Sequence, residues 1–571
     1  MDLKHETSRM GKAMAWTQRK YPALVLLCLL AACGDRPTGG EGTDSKDAGM
    51  STGDAGTGPG DGGNVPPGPS AMTFSPDTLA ATYGSGDSIS LTFAATLTTP
   101  LSDDVYLVVV DKAGVLERDI RLQATSGAPD TYSANALTSS RLPAGRHQGA
   151  LEVRLCRDRD CNAQHPGSPV HLPYDLQVLP GTHLTPLTRW PFVPDWETYQ
   201  GNAAHTGHVP VTLDPSRFSP RWSWKPPKSY SSLTPPVIAN GLVYVANSVP
   251  WTSDVPRTLY ALRESDKEIE WLFDFGNTVT ANPPAVSGGK VFIATTGDEN
   301  ASMWSLDAST GVQLSKTPLG AQMDRYYAPT IEGGTVYSAC SSSLGMCAFN
   351  HADGARNWFT QLAYYEDWTP AVDANHAYSF LGGVLSALVK STGQVAFTIK
   401  DPKFERDGFG THGAPVLGTN GTVIAVSGGN AFGDTRLVSF NTATRGLNWS
   451  VTGRYGGVPV LAKGVVYVTN VSAESSRPTV EARRESNGEL LWSWKPPRLE
   501  EKAREGLHGS YSDLLVTDNL IFVSTSQRVY AIDLETHSPV WSYWKTGNLA
   551  MSANGVLYIN SGDSLGAVNL K

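Results

Sequence analysis

A short pattern, repeated eight times between residues 234 and 561, constrains the fold of this chain more than any other feature. Each copy consists of an apolar run, a turn containing Gly or Asn, and a second apolar run. Because Gly and Asn tolerate positive φ, these turns fit tight β-hairpins. The copies are TPPVIANGLVYVAN, NPPAVSGGKVFIAT, APTIEGGTVYSAC, TPAVDANHAYSFL, APVLGTNGTVIAV, VPVLAKGVVYVTN, SDLLVTDNLIFVS and LAMSANGVLYINS.

A third strand follows every hairpin and carries a small residue at its third position, where neighbouring sheets are expected to approach closely. These small residues are Ala261, Ser305, Ala348, Ala387, Ser439, Ala482, Ala531 and Ala567. Seven of the eight units continue through a turn into a fourth strand, marked by Trp271, Leu314, Trp358, Phe397, Trp449, Trp492 and Trp541. Each unit is therefore predicted to be a four-stranded sheet.

The eighth unit lacks a fourth strand, and a spare strand precedes the first unit. This strand, SPRWSW, matches SPVWSY of the seventh unit. The hexapeptide WSWKPP at 222–227 recurs at 492–497, a distance of 270 residues or six repeats of about 45. We therefore predict an all-β chain in which 190–571 form an eight-bladed β-propeller. Strand 219–225 closes the ring with the last blade, which removes exposed sheet edges.

The composition is that of a turn-rich β protein rather than a helical or disordered one. The 571 residues include 57 Gly and 15 Trp, and 17% of them are charged. The formal net charge is −9 and the sequence has no basic run beyond its first residues, so we predict no nucleic-acid partner.

Residues 1–32 are predicted to be a secretory signal, because basic residues precede an apolar run too short to span a bilayer. The run ends in LAAC at 30–33, which resembles a bacterial lipobox. This resemblance implies cleavage before Cys33 and lipidation of its thiol, with a plain signal peptide as the alternative. Gly34 follows instead of the Asp that retains lipoproteins at the inner membrane. We therefore expect an outer-membrane lipid anchor, on either the periplasmic or the cell-surface face.

Two regions lie between this signal and the propeller. Residues 33–70 begin at the lipidated cysteine and continue as a run of Gly, Asp, Ser, Thr, Pro and Ala with little to bury, so they predict a disordered tether. Residues 71–181 contain about seven short alternating strands separated by turn residues, which predicts an Ig-like β-sandwich. We expect this module to be a spacer or an adhesive domain.

Four cysteines remain beyond the lipobox, in the close pairs Cys156 with Cys161 and Cys340 with Cys347. Two such pairs in an exported protein predict two local disulfides. Zinc would need four ligands at suitable spacing, which neither pair supplies, so no metal site is expected.

The repeat, an LYAL-like strand followed by D-x-x-TG-x-x-x-W, resembles the PQQ-like (quinoprotein-type) propeller repeat. SLDASTGVQL, FNHADGARNW, RRESNGELLW and LVKSTGQVAF carry it, and the lead-in DWETYQGNAAHTG (195–207) is similar to the W-x-x-x-x-GN-x-x-HTG segment of that family. The resemblance covers about 190–571, and with the lipobox it is closest to BamB-like outer-membrane assembly lipoproteins. It implies an eight-bladed scaffold that binds proteins through loops on one face. The long tether and the Ig-like module depart from that type.

Quinoprotein dehydrogenases share this repeat, and in that family a quinone and Ca²⁺ are held at the centre of the ring. Those enzymes typically carry a vicinal Cys-Cys disulfide over the cofactor, and this sequence contains no Cys-Cys pair and no haem-attachment motif. We therefore expect no cofactor, no catalytic residue and no enzymatic activity. A PQQ-dependent oxidoreductase is an alternative.

Residues just before the first strands should converge near the axis of a propeller. The candidate funnel-lining residues are Arg325, Tyr326, Tyr327, Glu366, Asp367, Trp368, His412, Tyr455 and Tyr511. Aromatic rings with a few charges around a funnel can hold a sugar, a peptide or a quinone, or can plug the channel by hydrogen bonding to it. His412 would act as a general base only beside a partner such as Asp367.

The predicted function is that of a membrane-anchored, non-enzymatic scaffold that binds partner proteins at the cell envelope, in outer-membrane protein assembly. The alternative from a different class is a surface or periplasmic lipoprotein that binds a small ligand or a polysaccharide.

Overall fold

The structure is a computed structural model, and it confirms the predicted all-β, propeller-like fold. The predicted signal, Cys33 and nearly all of the tether lie outside the residues that it describes. No helix within those residues has the length and apolar character needed to cross a membrane. The described residues are 70–571 apart from 85–88, 102–104, 118–119, 126–127, 129, 140–141, 180–183, 228–231, 249–256, 277, 298–300, 321–327, 341–344, 363–367, 405–413, 429–434, 472–477, 497–512 and 527.

Residues 72–179 form two sheets around one apolar core. The strands are β1 (Met72–Ser75), β2 (Leu79–Gly84), β3 (Ser90–Leu97), β4 (Tyr106–Val110), β5 (Ile120–Arg121), β6 (Gln123–Ala124), β7 (Thr131–Leu137), β8 (Gly145–Cys156) and β9 (Val170–Leu179). The sheet orders are β1-β3-β7-β6 and β2-β9-β8-β4-β5, with β2 and β9 parallel. Along β3 every second residue is buried, as expected for a strand with one face on the core.

The described residues from 219 to 569 form eight antiparallel sheets, numbered here ring sheets 1 to 8 in chain order. Ring sheet 1 consists of β11 (Ser232–Leu233), β12 (Val237–Ala239), β13 (Leu242–Ser248), β14 (Thr258–Arg263) and β15 (Ile269–Asp274). Ring sheet 2 consists of β16 (Thr280–Ala281), β17 (Ala285–Ser287), β18 (Lys290–Thr296), β19 (Ser302–Asp307) and β20 (Gln313–Pro318). Ring sheet 3 consists of β21 (Thr330–Glu332), β22 (Thr335–Cys340), β23 (Gly345–Asn350) and β24 (Arg356–Gln361), and ring sheet 4 of β25 (Ala371–Val372), β26 (His376–Leu381), β27 (Val384–Val389) and β28 (Val395–Lys400).

Ring sheets 5 to 8 repeat this arrangement. Their strands are β29 (Val416–Leu417), β30 (Thr422–Ser427), β31 (Thr435–Asn441) and β32 (Gly446–Gly453); β33 (Tyr455–Ala462), β34 (Val465–Val471), β35 (Pro478–Arg484) and β36 (Leu490–Trp494); β37 (Leu514–Val516), β38 (Leu520–Ser524), β39 (Val529–Asp533) and β40 (Pro539–Tyr543); and β41 (Asn548–Met551), β42 (Val556–Asn560) and β43 (Leu565–Asn569) with β10 (Ser219–Trp224). Short 3-10 turns occur at Tyr199–Gly201, Pro215–Arg217 and Thr419–Gly421.

The innermost strands contact one another in cyclic order. The contacts run from β12 through β17, β21, β25, β29, β33 and β37 to β41, and β41 contacts β12 again. Ring sheet 8 is built from distant parts of the chain, because β10 pairs antiparallel with β43 and places Ser219 opposite Asn569. Apolar clusters fill the spaces between neighbouring sheets, as the cluster shared by ring sheets 1 and 2 shows.

In six of the seven units with a predicted marker, the small residue of the third strand lies directly opposite that marker. Ala348 faces Trp358 and Ser439 faces Trp449, and the register shifts immediately afterwards at a bulge. In ring sheet 2 the marker Leu314 lies in the fourth strand as predicted, but Ser305 faces Ser315 and Leu314 is 49% exposed. The bulge inserts one extra residue into the fourth strand, and a shift of one residue moves a side chain to the other face of the sheet.

Tryptophan residues of ring sheets 1, 3, 5 and 8 connect each of these sheets to the next through a turn between its third and fourth strands. Indole N–H groups donate to carbonyl oxygens in that turn, and the indole ring lies against its glycine, where a Cβ would come within 2.6 to 2.7 Å of the ring at Gly311, Gly393 and Gly488. The hydrogen bonds are Trp222 to Glu264 (3.1 Å), Trp271 to Ala308 (3.0 Å), Trp358 to Lys390 (2.9 Å) and Trp449 to Glu485 (2.7 Å). The two halves of the repeat motif therefore meet across a boundary between sheets.

Both predicted disulfides are present. One joins Cys156 to Cys161 just beyond β8, and the other joins Cys340 to Cys347 between β22 and β23. Cys340 and Cys347 are buried in the apolar cluster around ring sheet 3, so this second bond is part of the core.

Candidate functional site

Residues 190–209, called the lead-in, follow the inner strands of the ring. In six ring sheets the backbone N–H at the same position of the first strand donates to a carbonyl oxygen of the lead-in. These bonds are Ile238 to Trp196 (2.8 Å), Val286 to Glu197 (2.7 Å), Val372 to Ala203 (2.8 Å), Leu417 to Ala204 (2.9 Å), Leu461 to Thr206 (2.8 Å) and Val516 to Gly207 (2.9 Å). These six ring sheets are contacted in chain order, because each later sheet bonds to a later residue of the lead-in.

The two remaining ring sheets are reached by other groups of the lead-in. The hydroxyl of Thr198 donates to Pro329 O at 2.9 Å, just before the first strand of ring sheet 3. The N–H of Trp190 donates to Ala553 O at 2.8 Å in ring sheet 8. The lead-in is therefore hydrogen bonded to all eight ring sheets.

The residues of the GN-x-x-HTG pattern shape this segment. Gly201 has φ +84° and lies against the ring of Trp196, where a Cβ would come within 2.7 Å. The side-chain oxygen of Asn202 accepts from the N–H groups of Ala204 (3.1 Å) and Thr206 (3.2 Å). These contacts hold the loop in the form that presents its carbonyl groups to the ring.

His205 is fully buried and links ring sheets 3 and 5. Its Nδ1 lies 3.2 Å from Pro415 O and its Nε2 lies 3.1 Å from the hydroxyl of Thr330. Because a carbonyl oxygen only accepts, we assign the proton to Nδ1, so that Nε2 accepts from Thr330. Burial lowers the pKa of His205 to about 4, which keeps the ring neutral at neutral pH.

A small cavity, partly open to solvent, lies beside the lead-in. Its walls come from the lead-in and from the starts of the first strands of ring sheets 1, 2, 7 and 8. The lining residues are Trp196, Tyr199, Gln200, Pro235, Pro236, Val237, Pro283, Pro284, Asp513, Leu514 and Leu549. The cavity thus combines apolar and aromatic walls with two polar side chains, a composition typical of ligand sites.

Asp513 is the acidic residue of the cavity. Its carboxylate accepts from the N–H groups of Leu549 (2.7 Å) and Leu514 (3.2 Å). Burial raises the pKa of Asp513 to about 6, although these hydrogen bonds act in the opposite direction. Burial, together with the nearby Asp513 carboxylate, also raises the pKa of Tyr199.

Gln200 is the second polar side chain of the cavity. It is only 6% exposed, and neither its amide oxygen nor its amide nitrogen has a hydrogen-bond partner among the described residues. Its backbone is left-handed, with φ 52° and ψ 29°, which is uncommon for a residue other than Gly, Asn or Asp. Buried polar groups in proteins are nearly always paired, so an unpaired amide against a cavity marks a candidate binding group.

The structure describes two of the nine predicted funnel-lining residues. Trp368 is buried in the cluster around ring sheet 3, and Tyr455 is buried in a separate cluster where its hydroxyl donates to Glu481 at 3.1 Å. The structure does not bring these two together, and neither lines the cavity. The other seven, which are Arg325, Tyr326, Tyr327, Glu366, Asp367, His412 and Tyr511, lie outside the described residues.

Asp513, Gln200 and Tyr199 were not predicted as site residues. A sequence signal existed for Asp513, because it immediately precedes the first strand of the seventh unit, two residues after Tyr511. Tyr199 and Gln200 fall inside the recognised lead-in pattern, but at its variable positions. Nothing in the sequence indicates that the amide of Gln200 has no partner.

Two features are typical of PQQ-like repeat propellers. Tryptophan residues connect neighbouring ring sheets at the outer strands, and a hydrogen-bonded lead-in follows the inner strands. A family model described as outer membrane protein assembly factor BamB matches residues 208–314 and 271–494, which together make up half of the chain. The chain belongs to this family.

Individual relatives are more distant. Tetrathionate hydrolase of Acidithiobacillus ferrooxidans is 23% identical over 327 residues, which are 55% of this chain and 56% of that protein. The chain thus matches little more than half the length of this relative. BamB from Moraxella catarrhalis is 16% identical, with 62% of this chain and 99% of that chain covered and a TM-score of 0.46. Quinohemoprotein alcohol dehydrogenase from Comamonas testosteroni is 12% identical, with coverages of 66% and 80% and a TM-score of 0.48.

Proposed function

We propose that this chain is a membrane-anchored, non-enzymatic scaffold that binds partner proteins at the cell envelope, in outer-membrane protein assembly. In this proposal the eight ring sheets are the blades of one closed propeller, and residues 71–181 are an Ig-like spacer or second binding module. Lipidated Cys33 and the tether that follows it hold both at the outer membrane.

The lead-in carries the proposal. It is hydrogen bonded to all eight ring sheets and therefore ties them together from the inside. A ring held in this way presents its surface loops on a fixed frame, which lowers the entropic cost of binding a protein.

The test is a crosslinked affinity capture of the full lipidated protein from its native membranes, followed by mass spectrometry. We expect enrichment of components that assemble outer-membrane β-barrels. A Cys33→Ser variant should lose membrane association, which tests the anchor separately from the partner. Recovery of intact bait without any assembly component would contradict the scaffold proposal.

Small-ligand binding is a second candidate, and the unpaired amide of Gln200 against the cavity favours it. The match to tetrathionate hydrolase raises an enzymatic alternative as well. Incubation of the purified protein with tetrathionate, followed by measurement of its consumption, tests that alternative directly. We expect no consumption above that of buffer.

A further inference from the structure

We propose that the cavity beside the lead-in binds a small organic cation, an alkylammonium or guanidinium group, either free or at the end of a lysine or arginine side chain of a partner. This inference deepens the small-ligand candidate above and does not depend on the scaffold proposal. It gives that candidate a site, a charge and a set of contacting residues.

The charge of the cavity supports a cation. Its eleven lining residues include one acid, Asp513, and no Lys, Arg or His. The described contacts of the Asp513 carboxylate are with backbone N–H groups and with the side chain of Asn548, and no ion pair of the described residues involves it. The titratable group that faces Asp513 is Tyr199, which is neutral at neutral pH, and the neutral ring of His205 lies edge-on beyond Tyr199 at 5.7 Å. Among the described residues no positive charge lies at this carboxylate, and a cationic ligand would supply one.

The hydrogen-bonding groups match the same ligand. The amide oxygen of Gln200 is an acceptor without a donor, and the carboxylate of Asp513 can accept further bonds. Ammonium carries three N–H donors and guanidinium five, so one ligand can serve both side chains. Bonds between ionised partners are the stronger kind, which favours a cation over a neutral alcohol.

The remaining walls suit the rest of such a molecule. Trp196 and Tyr199 line the cavity, and aromatic rings attract cations that lie over a ring face within about 6 Å of its centre. Four proline residues from ring sheets 1 and 2 offer apolar surface and no N–H donor, so they accommodate an alkyl stem. An anion would meet Asp513 without any compensating positive charge from the lining residues.

The same arrangement predicts how binding depends on pH. A bound cation favours the ionised form of Asp513, whose pKa is raised to about 6 when the cavity holds no cation. Binding should therefore tighten as the pH rises through 6 and level off above it. Below pH 6 the affinity should fall by about tenfold for each pH unit.

Isothermal titration calorimetry of the full chain tests the inference with four probes at constant ionic strength: n-butylammonium, n-butylguanidinium, n-butanol and n-butyrate. We expect both cations to bind, and the alcohol and carboxylate to bind at least about tenfold more weakly. Asp513→Asn should weaken cation binding by about tenfold or more, and Gln200→Leu by a few fold. Asp563→Asn is the matched control, because it removes an acidic side chain that is 63% exposed and paired with Lys225.

Two further arms separate the possible sources of the cation. The pentapeptides Gly-Gly-Lys-Gly-Gly and Gly-Gly-Arg-Gly-Gly present the same groups on a chain. Binding of the peptides as tight as that of the free cations assigns the site to a partner side chain, and binding of the free cations alone assigns it to a small molecule. The pH profile of the unmodified protein remains informative even if Asp513→Asn fails to fold.

Three results would overturn the inference. Equal affinity for butanol or butyrate, lost in Gln200→Leu, would keep a ligand site but exclude a cation site. Cation binding that persists in a folded Asp513→Asn variant, or that does not weaken below pH 6, would remove Asp513 from it. No heat with any probe at millimolar concentration would exclude both the cation and the small-ligand candidate, while the scaffold proposal would still be decided by affinity capture.

Discussion

The ring is held together at two radii, by different kinds of contact. At the outer edge, indole N–H groups donate to the turn of the next sheet, and indole rings cover a glycine there, as Trp449 does at Gly488. At the inner edge, backbone N–H groups of the first strands donate to backbone carbonyl groups of the lead-in. The outer contacts connect neighbours, whereas the inner segment connects all eight ring sheets to one piece of chain.

This difference shows how a repeat protein can combine contacts that recur in every repeat with contacts made by a single, non-repeated segment. An outer contact depends on side chains, so it recurs in the sequence and changes where the side chain changes, as in ring sheet 2, where Ser315 lies against Gly354 and Thr317 donates to Gly354 O. An inner contact needs only a backbone N–H, so it tolerates any apolar side chain in the first strand. The sequence requirements of the inner contacts fall on the lead-in, where Gly201, His205 and Gly207 each occupy a position with a positive φ.

The largest predicted effect comes from the inner radius. Gly207→Ala should reduce the free energy of unfolding by about 3 kcal/mol, because an alanine at φ +62° is strained and its Cβ would lie 2.4 Å from Val460 Cγ1. Gly464→Ala is the control, since this glycine has φ +77° with no atom within 4 Å of the added Cβ and should cost about 1 kcal/mol. Urea unfolding of both variants measures the difference, and equal losses would show that the fit of the lead-in contributes nothing.

A second inner effect depends on pH. Because the pKa of folded His205 is about 4 and that of an unfolded histidine about 6.5, the unfolded chain binds the proton first as the pH falls. Stability should therefore be lost as the pH falls from 6.5 towards 4, by about 2 kcal/mol between pH 7 and 4.5. Asp513 acts in the opposite direction, since its raised pKa removes stability as the pH rises from about 3.8 through 6.

The contribution of His205 is isolated by comparing wild type with His205→Gln at each pH. The variant should be less stable at pH 7, and the gap should narrow by about 2 kcal/mol at pH 4.5. A gap that stays constant with pH would mean that His205 is not held neutral by burial.

At the outer radius, Gly488→Ala should cost about 2 kcal/mol. The residue has φ +73°, and the added Cβ would lie 2.7 Å from the ring of Trp449, which sits near the edge of its sheet and can partly move away. Thermal unfolding should place this variant between Gly464→Ala and Gly207→Ala. A loss larger than that of Gly207→Ala would reverse the ranking of the two radii.

The smallest effect isolates one hydrogen bond. Trp449→Phe keeps an aromatic ring but removes the N–H that donates to Glu485 O at 2.7 Å, and should cost about 1 kcal/mol. Trp541→Phe serves as the comparison, because the described contacts of Trp541 are ring contacts with residues such as Phe218 and Tyr543. Both variants lose ring area, so the difference between their melting curves reports the hydrogen bond, and no difference would argue against it.

Much of the outer architecture could be predicted from sequence because side chains mark it. Gly and Asn at the turns and small residues opposite tryptophan recur at regular spacing, and they are enough to predict an all-β, propeller-like fold. In ring sheet 2 the residue opposite Ser305 is Ser315 and not the neighbouring Leu314, because the pairing shifts by one residue at the bulge.

The candidate site could be predicted only in part. The rule that residues before first strands approach the axis applies to Pro235, Pro283 and Asp513, which line the cavity. Gln200 could not be found in this way, since its interest lies in a left-handed backbone and in a missing hydrogen-bond partner. Both properties arise only once the lead-in is folded against all the sheets.

The pairing of β10 with β43 determines when the ring can close during folding. Ser219 and Asn569 are 350 positions apart in the chain, so β10 is available for folding long before its partner when the chain emerges from its N-terminal end. Ring sheet 8 stays incomplete, and the growing ring remains an open arc with unpaired edges, until β43 has been released. The lead-in precedes every ring sheet in the chain, and its residues 196–207 contact ring sheets 1 to 7 in chain order, whereas Trp190 contacts ring sheet 8. Each new sheet can therefore pack against a lead-in that is already present, which shortens the time during which its strand edges remain unpaired.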